Sequence, residues 1–345
     1  MNSFKPYKEG VHSILCVLWN LKLVTPLYIR HSHQCFWQQN DPSLGKGRGK
    51  QVKFNWLTEE GDDWNQVGDF NYSFRVTDGS LVAEYSVPAS SIRGSLRQWS
   101  IKNLVQESIR DAFELPKKGK LTEEDLKEIL QRARAALDSA ESGWSQVLDL
   151  FGCAFDLAID EEAELTWSGR FKMEGRIGLT GGSVGLDVIG SLLTGSEEQS
   201  APGNLGRQLT IRNPLDRISQ SSKEGGLHTF VELSPGQTMT VKFYVLNPKS
   251  QDIDLIIKWE HDISDGFIRF GALGSQGRGR CDFVNSSYAL HVGPSSPWRT
   301  KLEWAVKEEL ANQILEETLF SGIWSSFSIA PNKLSKIGEI EIRTQ

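Results

Sequence analysis

The chain has 345 residues, of which 39% are hydrophobic and 24% are charged, so it can form a substantial core and is not a disordered polypeptide. Its four cysteines are scattered and include no C-x-x-C pair, which excludes a disulfide scaffold and a zinc ribbon and favours a reducing compartment. The longest wholly apolar run, residues 14–19, is far too short to cross a bilayer. We therefore expect a cytoplasmic protein that makes no contact with a membrane.

The net charge of −6 argues at first against a nucleic-acid partner, but the charge is unevenly distributed. Acidic residues dominate the segment 111–166, and the remainder of the chain is slightly basic. Basic residues cluster within 90–110 and again within 266–280. Because a partner responds to the local potential rather than to the total charge, RNA remains a candidate ligand.

The first part of the chain contains two predicted strands and a helix. Residues 13–30 combine aliphatic and aromatic residues with partial alternation, which predicts a strand that ends near a proline. Residues 38–80 are rich in glycine and polar residues, and we interpret them as a long loop or insertion of the kind that is usually functional or mobile. A second strand is predicted over 81–87. A helix then begins at Ser90 or Ser91, both of which are good N-cap residues.

A further helix is predicted from Thr122. Asp125, three residues later, resembles the second half of a capping box, and apolar residues line one helix face over 126–137. The opposite face is highly charged, so we interpret this element as an inserted or docking helix. Residues 181–206 are rich in glycine, serine and proline and indicate an exposed hairpin or a flexible arm.

Strands and helices remain mixed to the end of the chain. The pattern predicts strands over 209–212, 227–233 and 239–246, a Pro235-Gly236 turn, helices over 254–270 and 302–314, and a closing strand over 336–343. No linker divides the chain. We therefore expect a single α+β domain over 1–345, with insertions near 31–80, 114–145 and 181–232.

The strongest local feature is the segment 270–280, FGALGSQGRGR. Its glycines, among them Gly274, Gly277 and Gly279, allow backbone N–H groups to approach an anion, while Arg278 and Arg280 offer charge-assisted hydrogen bonds to phosphate. The segment lacks the G-K-[S/T] end of a P-loop, and a helix rather than a strand is predicted before it, which argues against a dinucleotide-binding loop. The alternative is a flexible surface turn.

A second feature is the segment 87–97, VPASSIRGSLR. It places Ser90 and Ser91 at the start of the predicted helix and Arg93 and Arg97 one turn apart. Helix N-termini attract phosphate through free N–H groups and through the helix dipole. The alternative is an ordinary capped helix whose arginines point into solvent.

A third feature is the segment 211–230, IRNPLDRISQSSKEGGLHTF. Asp216 and Arg217 follow a predicted strand, and a polar turn separates them from the next apolar strand. The alternative here is a plain hairpin.

These three features, in this order, resemble the motifs of the RAMP (repeat-associated mysterious protein) superfamily of CRISPR–Cas proteins, in its backbone-subunit branch. In that branch a strand leads into proline, small residues and Ser-Ser, as in 87–97, and a Leu-Phe-Gly follows, as in 150–152. An Ile-Asp-Arg-type element in a thumb-like hairpin is matched by 215–217, and the closing glycine-rich loop is matched by 274–280. The resemblance spans about residues 13–283.

The resemblance implies an RRM-like (ferredoxin-like) α+β core with a thumb hairpin, and the role of a guide-RNA-binding subunit in a type III CRISPR effector complex. Such subunits stack along the guide, and their thumbs displace bases at regular intervals. The implied partners are guide RNA, target RNA and other effector subunits, and we expect the acidic segment 111–166 to contact a basic neighbouring subunit. His228 and Phe230 are candidates for an apolar wedge on the thumb. Contacts with the RNA backbone that do not read sequence are expected from Ser90, Ser91, Arg93, Arg97, Asp216, Arg217, His228, Gly274, Gly277, Arg278, Gly279 and Arg280.

In active members of this branch, an Asp in the loop after the first strand cleaves the target RNA. The reaction requires a divalent metal such as Mg²⁺ or Mn²⁺, and the RNA 2′-OH attacks the adjacent phosphate. Among the aspartates of this loop, Asp69 fits the family position best, whereas Asp78 lies in a Thr-Asp-Gly turn and has a structural reason to be there. The alternative is that no aspartate is catalytic and the subunit only binds.

Two other RAMP roles stay open. One is a cap-like subunit at the end of the filament without nuclease activity. The other is an endonuclease that trims the guide precursor with His12, His31 or His33 as general base. His31, His33 and Cys35 also alternate as zinc ligands would on one strand face, but a fourth ligand is not evident, so structural zinc is not expected.

Overall fold

The structure is a computed structural model that describes most of the predicted elements. The described residues are 10–29, 34–39, 52–55, 65–68, 70–78, 80–105, 143–155, 165–185, 207–212, 228–307, 314–315 and 324–339, with six further residues between 122 and 131. Within these residues no helix is long and apolar enough to span a membrane.

The main architectural element is a nine-stranded antiparallel sheet. From one edge to the other its strands are β15 (Ile314–Leu315), β16 (Ser325–Ser328), β14 (Cys281–Val292), β1 (Ser13–Leu23), β13 (Thr238–Leu246), β10 (Arg176–Gly185), β6 (Ser80–Pro88) and β5 (Tyr72–Thr77). The ninth strand, β9 (Phe171–Met173), pairs with β13 on the side where β10 lies.

Three small antiparallel sheets accompany the main one. In the first, β2 (Gln34–Gln39) lies between β3 (Val52–Asn55) and β4 (Asn65–Gly68). The second pairs β7 (Gly152–Phe155) with β8 (Leu165–Ser168), and the third pairs β11 (Arg207–Arg212) with β12 (His228–Leu233).

Strand β1 occupies the centre of the main sheet because every second side chain is apolar. Leu15, Val17, Trp19 and Leu21 are fully buried on one face, which is the period-two pattern of a half-buried strand. The strand predicted to start at residue 13 is therefore confirmed, although it ends at Leu23 and only Leu27 bridges to another strand beyond it.

One face of the sheet is covered by helices. These are α1 (Ala89–Leu104), α2 (Trp144–Phe151), α3 (Ser250–Ser264), α4 (Pro297–Lys307) and α5 (Pro331–Gly338). Helix α3 packs Trp259 against Phe171 of β9, with ring centroids 6.0 Å apart. Helix α1 is joined to α3 because the Trp259 indole N–H donates to Ser100 Oγ at 3.1 Å. The predicted α+β class is thus confirmed.

The centre of the sheet follows a regular chain order. In chain order the central elements are β1, α1, β9 with β10, β13, α3 and β14. In the sheet the strands lie in the order β14, β1, β13, β10. Every described pairing among these strands is antiparallel. The two helices therefore connect strands that are not neighbours in the sheet.

Several local predictions are confirmed. Strand β6 covers the predicted 81–87, and residues Pro235 and Gly236 form the turn before β13. The capping box is also present, since Thr122 N donates to Asp125 Oδ2 at 2.8 Å and Asp125 N donates to Thr122 Oγ1 at 3.2 Å.

Other element predictions are wrong. Residues 38–80 are not a loop throughout, because short strands β2 to β5 form there from residues that lack a long apolar run. Helix α3 begins four residues before 254 and ends at Ser264, since Gly266 has a positive φ of 80° and stops it. The closing strand over 336–343 is a helix up to Gly338, because Pro331 starts α5 and Leu334 and Ile337 are buried one turn apart. Ile314 belongs to a strand rather than to a helix.

Candidate nucleic-acid interface

The glycine-rich loop between α3 and β14 has an unusual backbone. Gly271, Gly277 and Gly279 have φ values of 77°, 87° and 74°, and Leu273 adopts a φ of 61°. Glycine reaches this left-handed region without steric cost, so the composition of the segment follows from its shape. Between these residues lies a single turn of 3-10 helix, Gly274–Gln276.

This loop is fastened to the segment that follows β1. Gly279 N donates to Pro26 O and Ala272 N donates to Tyr28 O, both at 2.8 Å. Gly279 lies so close to the chain that a Cβ would fall 1.8 Å from Phe270 O. Since these N–H groups are used inside the protein, an anion at this loop would depend on the arginine side chains more than on the backbone, which differs from the expectation drawn from the glycines.

The three arginines of the loop have different surroundings. Arg269 braces the loop by donating to Gly266 O and Gly274 O, each at 3.0 Å. Arg278 Nε donates at 2.8 Å to the fully buried Glu232, so Arg278 first serves to hold the loop. Arg280 lies 3.8 Å from Asp282, and its buried Nε has no hydrogen-bond partner.

Glu232 connects the loop to the predicted thumb. It lies on β12, and its second carboxylate oxygen accepts a 2.7 Å hydrogen bond from Thr210 on β11. Leu27 and Leu233 exchange backbone hydrogen bonds of 3.0 and 2.8 Å. The base of the hairpin, the glycine-rich loop and the segment after β1 therefore form one packed unit.

The described part of the hairpin ends at the pair Arg212 and His228. Asp216 and Arg217 lie outside the described residues, as does the His228 side chain. Phe230 is buried with its ring 4.9 Å from that of Tyr28, so it supports the hairpin base and is not a wedge.

Asp69 also lies outside the described residues, but its surroundings in sequence are defined. Strand β4 ends at Gly68 and contacts β12 of the hairpin. On the other side, Phe70 is fully buried and Asn71 donates to Ser86 Oγ at 2.8 Å.

The start of α1 differs in one respect from the sequence prediction. Pro88 is the N-cap residue, and no side chain caps the helix, so Ser90 and Ser91 lie within the first turn. The proline fixes φ at −59° and so sets the direction in which the helix leaves β6. No acidic residue lies in the first turn to neutralise the positive end of the helix dipole.

Arg93 and Arg97 lie next to each other on this helix. Arg93 donates from Nη2 to Phe151 O, which brings the predicted Leu-Phe-Gly motif against the start of α1. Burial lowers the pKa of Arg93, and the neighbouring charge of Arg97 lowers it further. The Arg97 Nε is buried and has no hydrogen-bond partner.

The predicted site residues therefore form two groups, one at the start of α1 and one at the glycine-rich loop. Helix α1 follows β6, the loop leads into β14, and strands β10, β13 and β1 lie between them. Adjacent strands are roughly 4.8 Å apart, which gives a separation of about 19 Å across the sheet. A ligand that touches both groups must be extended.

Sequence reasoning missed the residues that hold these groups in place. Glu232 lies in a strand where its neighbours are apolar and buried, and this isolated acidic residue is the one sequence feature that could have indicated its role. Arg269 was counted with the basic cluster but not assigned a role. Thr25, which accepts a 2.9 Å hydrogen bond from Arg280 N, has no distinguishing sequence signal.

Replacing Gly279 with alanine should lower the free energy of unfolding by at least about 3 kcal/mol, because the change combines a left-handed backbone with a clash in a packed region. The matched control is Gly94→Ala in α1, where nothing lies within 4 Å of an added Cβ and alanine favours the helix by about 0.5–1 kcal/mol. Denaturant unfolding of both variants measures the difference. Equal stabilities of the two variants would show that the loop is not packed as described.

No group of three or more His, Cys, Asp and Glu side chains within the described residues is arranged to hold a metal ion. His31, His33 and the Cys35 side chain lie outside them, so the zinc question stays a prediction.

The family model described as the RAMP superfamily matches residues 20–282, which include all four predicted motif segments. No curated protein matches the chain.

Proposed function

Since the chain belongs to the RAMP superfamily, we propose that it is a guide-RNA-binding backbone subunit of a type III CRISPR–Cas ribonucleoprotein effector. One observation carries this proposal. Segments far apart in sequence lie together, since Arg93 donates to Phe151 O and Arg278 pairs with Glu232 at the base of the hairpin. Arg93 is exposed at the first contact and the Arg280 side chain is partly exposed beside the second, so each place offers a cationic side chain at the surface.

The proposal includes an RRM-like core. The order strand, helix, strand, strand, helix, strand and the spatial order β14, β1, β13, β10 are those of a ferredoxin-like unit. In this assignment the glycine-rich loop directly precedes the last core strand, and α1 is the first core helix.

The start of α1 would hold one phosphate group of the RNA. Its first-turn N–H groups lack a capping side chain, and Arg93 and Arg97 add two positive charges without a carboxylate between them. Arg93 is exposed at this place, so its guanidinium would offer a charge-assisted hydrogen bond to a phosphate oxygen.

The glycine-rich loop and the hairpin would hold the RNA at a second place. Arg280 supplies the exposed charge, while Arg278 and Glu232 fix the base from which the thumb leaves the core. A thumb that displaces bases must have a rigid base, because otherwise the displaced base would push the hairpin aside.

The test is RNA binding by the Arg93→Ala/Arg97→Ala double variant of the full chain. We expect the affinity for single-stranded RNA to fall roughly tenfold or more and the slope of log K against log salt to decrease by about two. Fluorescence anisotropy at several salt concentrations measures both.

The control for this test is Lys102→Ala, an exposed lysine near the end of the same helix. It should change neither quantity appreciably. If both variants bind like the unmodified protein, the assignment of the α1 site is wrong. If the unmodified protein does not retain RNA even at low salt, the proposed function itself fails.

We further propose that Asp69 takes part in cleavage of the paired target RNA. The 2′-oxygen would give its proton to water and bond to the adjacent phosphorus, while the 5′-oxygen leaves and takes up a proton from water, which gives a cyclic phosphate and a 5′-hydroxyl end. The Asp69 carboxylate would help to hold Mg²⁺ or Mn²⁺ at the target RNA. The ion would supply positive charge at the phosphate.

The alternative of a guide-processing endonuclease is less well supported for His12, one of its three candidate general bases. His12 precedes β1, whose 11 residues separate it from the glycine-rich loop by roughly 35 Å. Incubation of the purified protein with repeat RNA tests this alternative, since only a processing enzyme would cut it alone. The cap-like alternative is decided by copy number in the complex, with one copy for a cap and several for a repeating subunit.

A further inference from the structure

The C-terminus of α3 presents an aromatic side chain to solvent. Gly266 N donates to Ile263 O at 3.0 Å and Phe267 N donates to Asp262 O at 2.8 Å, which is the pair of bonds of a Schellman motif. Phe267 is 76% exposed, more than any other large apolar side chain in the described part of the chain.

The usual apolar contact of this motif is missing here for a visible reason. The residue after the glycine normally packs on the side chain of the residue whose backbone C=O accepts its N–H, and here that residue is Asp262. The Asp262 carboxylate instead accepts a 2.5 Å hydrogen bond from the Trp99 indole, which ties α3 to α1. The backbone of Phe267 is thus fixed while its ring has no partner within the motif.

Guanidinium groups surround the glycine that precedes Phe267. The Arg280 side chain lies over Gly266, where an added Cβ would be 3.3 Å from Arg280 Cδ and Nε. Arg269 Nε donates to Gly266 O at 3.0 Å. The only carboxylate paired with Arg280 in the described residues is the half-exposed Asp282 at 3.8 Å, a separation at which an exposed pair is weak.

We propose that Phe267 is a base-stacking residue for single-stranded RNA, with the neighbouring Arg280 bound to a phosphate of the same strand. The inference rests on the proposed function and adds a stacking position to it. Single-stranded nucleic acids are bound by aromatic rings placed beside positive charge, because every base has a face that can stack and every nucleotide carries a phosphate. An exposed ring on a fixed backbone, next to an arginine whose side chain is 41% exposed, meets both requirements.

The test compares Phe267→Ala with Phe267→Trp in the full chain, with a fluorescein-labelled oligouridylate as the probe. We expect alanine to weaken binding about tenfold and tryptophan to retain it. The salt slope should be unchanged in Phe267→Ala, since no charge is lost, whereas Arg280→Ala should reduce it by about one. Phe74→Ala is the matched control, because Phe74 is 55% exposed but lies on β5 at the edge of the sheet.

An oligonucleotide with abasic positions provides the second measurement. If Phe267 stacks on a base, the Phe267→Ala variant should lose less affinity for the abasic oligonucleotide than for the intact one, because the stacking contact is already absent. Equal thermal midpoints of the variant and the unmodified protein would establish that folding is intact, as expected for an exposed side chain.

The possible results separate this inference from the proposed function. If the unmodified chain binds RNA and Arg93→Ala/Arg97→Ala weakens it while Phe267→Ala does not, stacking alone is overturned. If Phe267→Ala leaves RNA affinity intact but prevents incorporation into the effector complex, the ring is a protein contact and the inference is again overturned. Absence of RNA binding by the unmodified chain overturns both.

Discussion

Replacing Arg170 with alanine is expected to lower the free energy of unfolding by about 3–5 kcal/mol, because it leaves the buried Asp252 without a counter-charge and the buried Asp149 with Lys249 as its one remaining counter-charge in the described residues. Arg170 lies before β9, and its guanidinium bonds to Asp149 Oδ2 at 2.7 Å and to Asp252 Oδ2 at 2.6 Å. It also donates to Asn247 O at 3.1 Å. This single side chain therefore connects α2, α3 and the end of β13.

The control for Arg170→Ala is Lys242→Ala, which removes the cation of an ion pair at the surface. Lys242 lies 3.8 Å from Glu174, and both side chains are about half exposed. Lys242→Ala should cost less than about 1 kcal/mol, since solvent screens the pair. Denaturant unfolding measures both variants, and similar losses for the two would mean that the Arg170 cluster is not the buried network described.

The cluster also predicts a pH dependence. Burial alone would raise the pKa of Asp149, but the hydrogen bonds and charges of Arg170 and Lys249 outweigh it and hold that pKa below its ordinary value of 3.8. A carboxyl with a depressed pKa stabilises the fold above the unfolded-state value, and this contribution is lost as the pH falls through the folded-state value. The difference between the unmodified protein and Arg170→Ala should therefore shrink below about pH 4. A constant difference down to pH 2 would contradict this.

The elements that could be predicted from sequence are those whose signal is local. Strand β1 follows from alternating apolar residues, and the turn at Pro235 and Gly236 follows from residue type. The capping box of Thr122 and Asp125 follows from spacing. In each case the physical cause acts over a few residues, so the sequence contains it in full.

The features that could not be predicted depend on residues distant in sequence. The partners of Arg170 are 21 and 82 residues away, and nothing near any of them marks a shared site. Arg278 was expected to face phosphate because it lies in a glycine-rich segment, yet Glu232 lies 46 residues before it and takes its Nε. Strands β2, β3 and β4 are held by pairing with one another, with segments of the chain between them, which composition does not reveal.

Replacing Asp69 with alanine should reduce cleavage of the paired target RNA at one position per subunit by about 10²–10⁴-fold, because the metal ion that Asp69 would hold contributes several kcal/mol of transition-state charge stabilisation. Guide binding should persist, because Asp69 is proposed to act on the target phosphate, whereas arginines elsewhere are proposed to hold the guide. The chain around Asp69 is tied down by Gly68, paired with Gln34, and by the ring of Phe70, 5.9 Å from that of Tyr85.

The matched control is Asp78→Asn, a nearby aspartate in an exposed turn with a φ of 51°, which asparagine tolerates. Target RNA cut by the assembled complex, with Mg²⁺ or Mn²⁺ added, is analysed on a gel. The cleavage products should be lost with Asp69→Ala and retained with Asp78→Asn. Loss of guide binding in Asp69→Ala would instead assign the residue a structural role. Unchanged cleavage in Asp69→Ala would overturn the assignment of Asp69 as a catalytic residue.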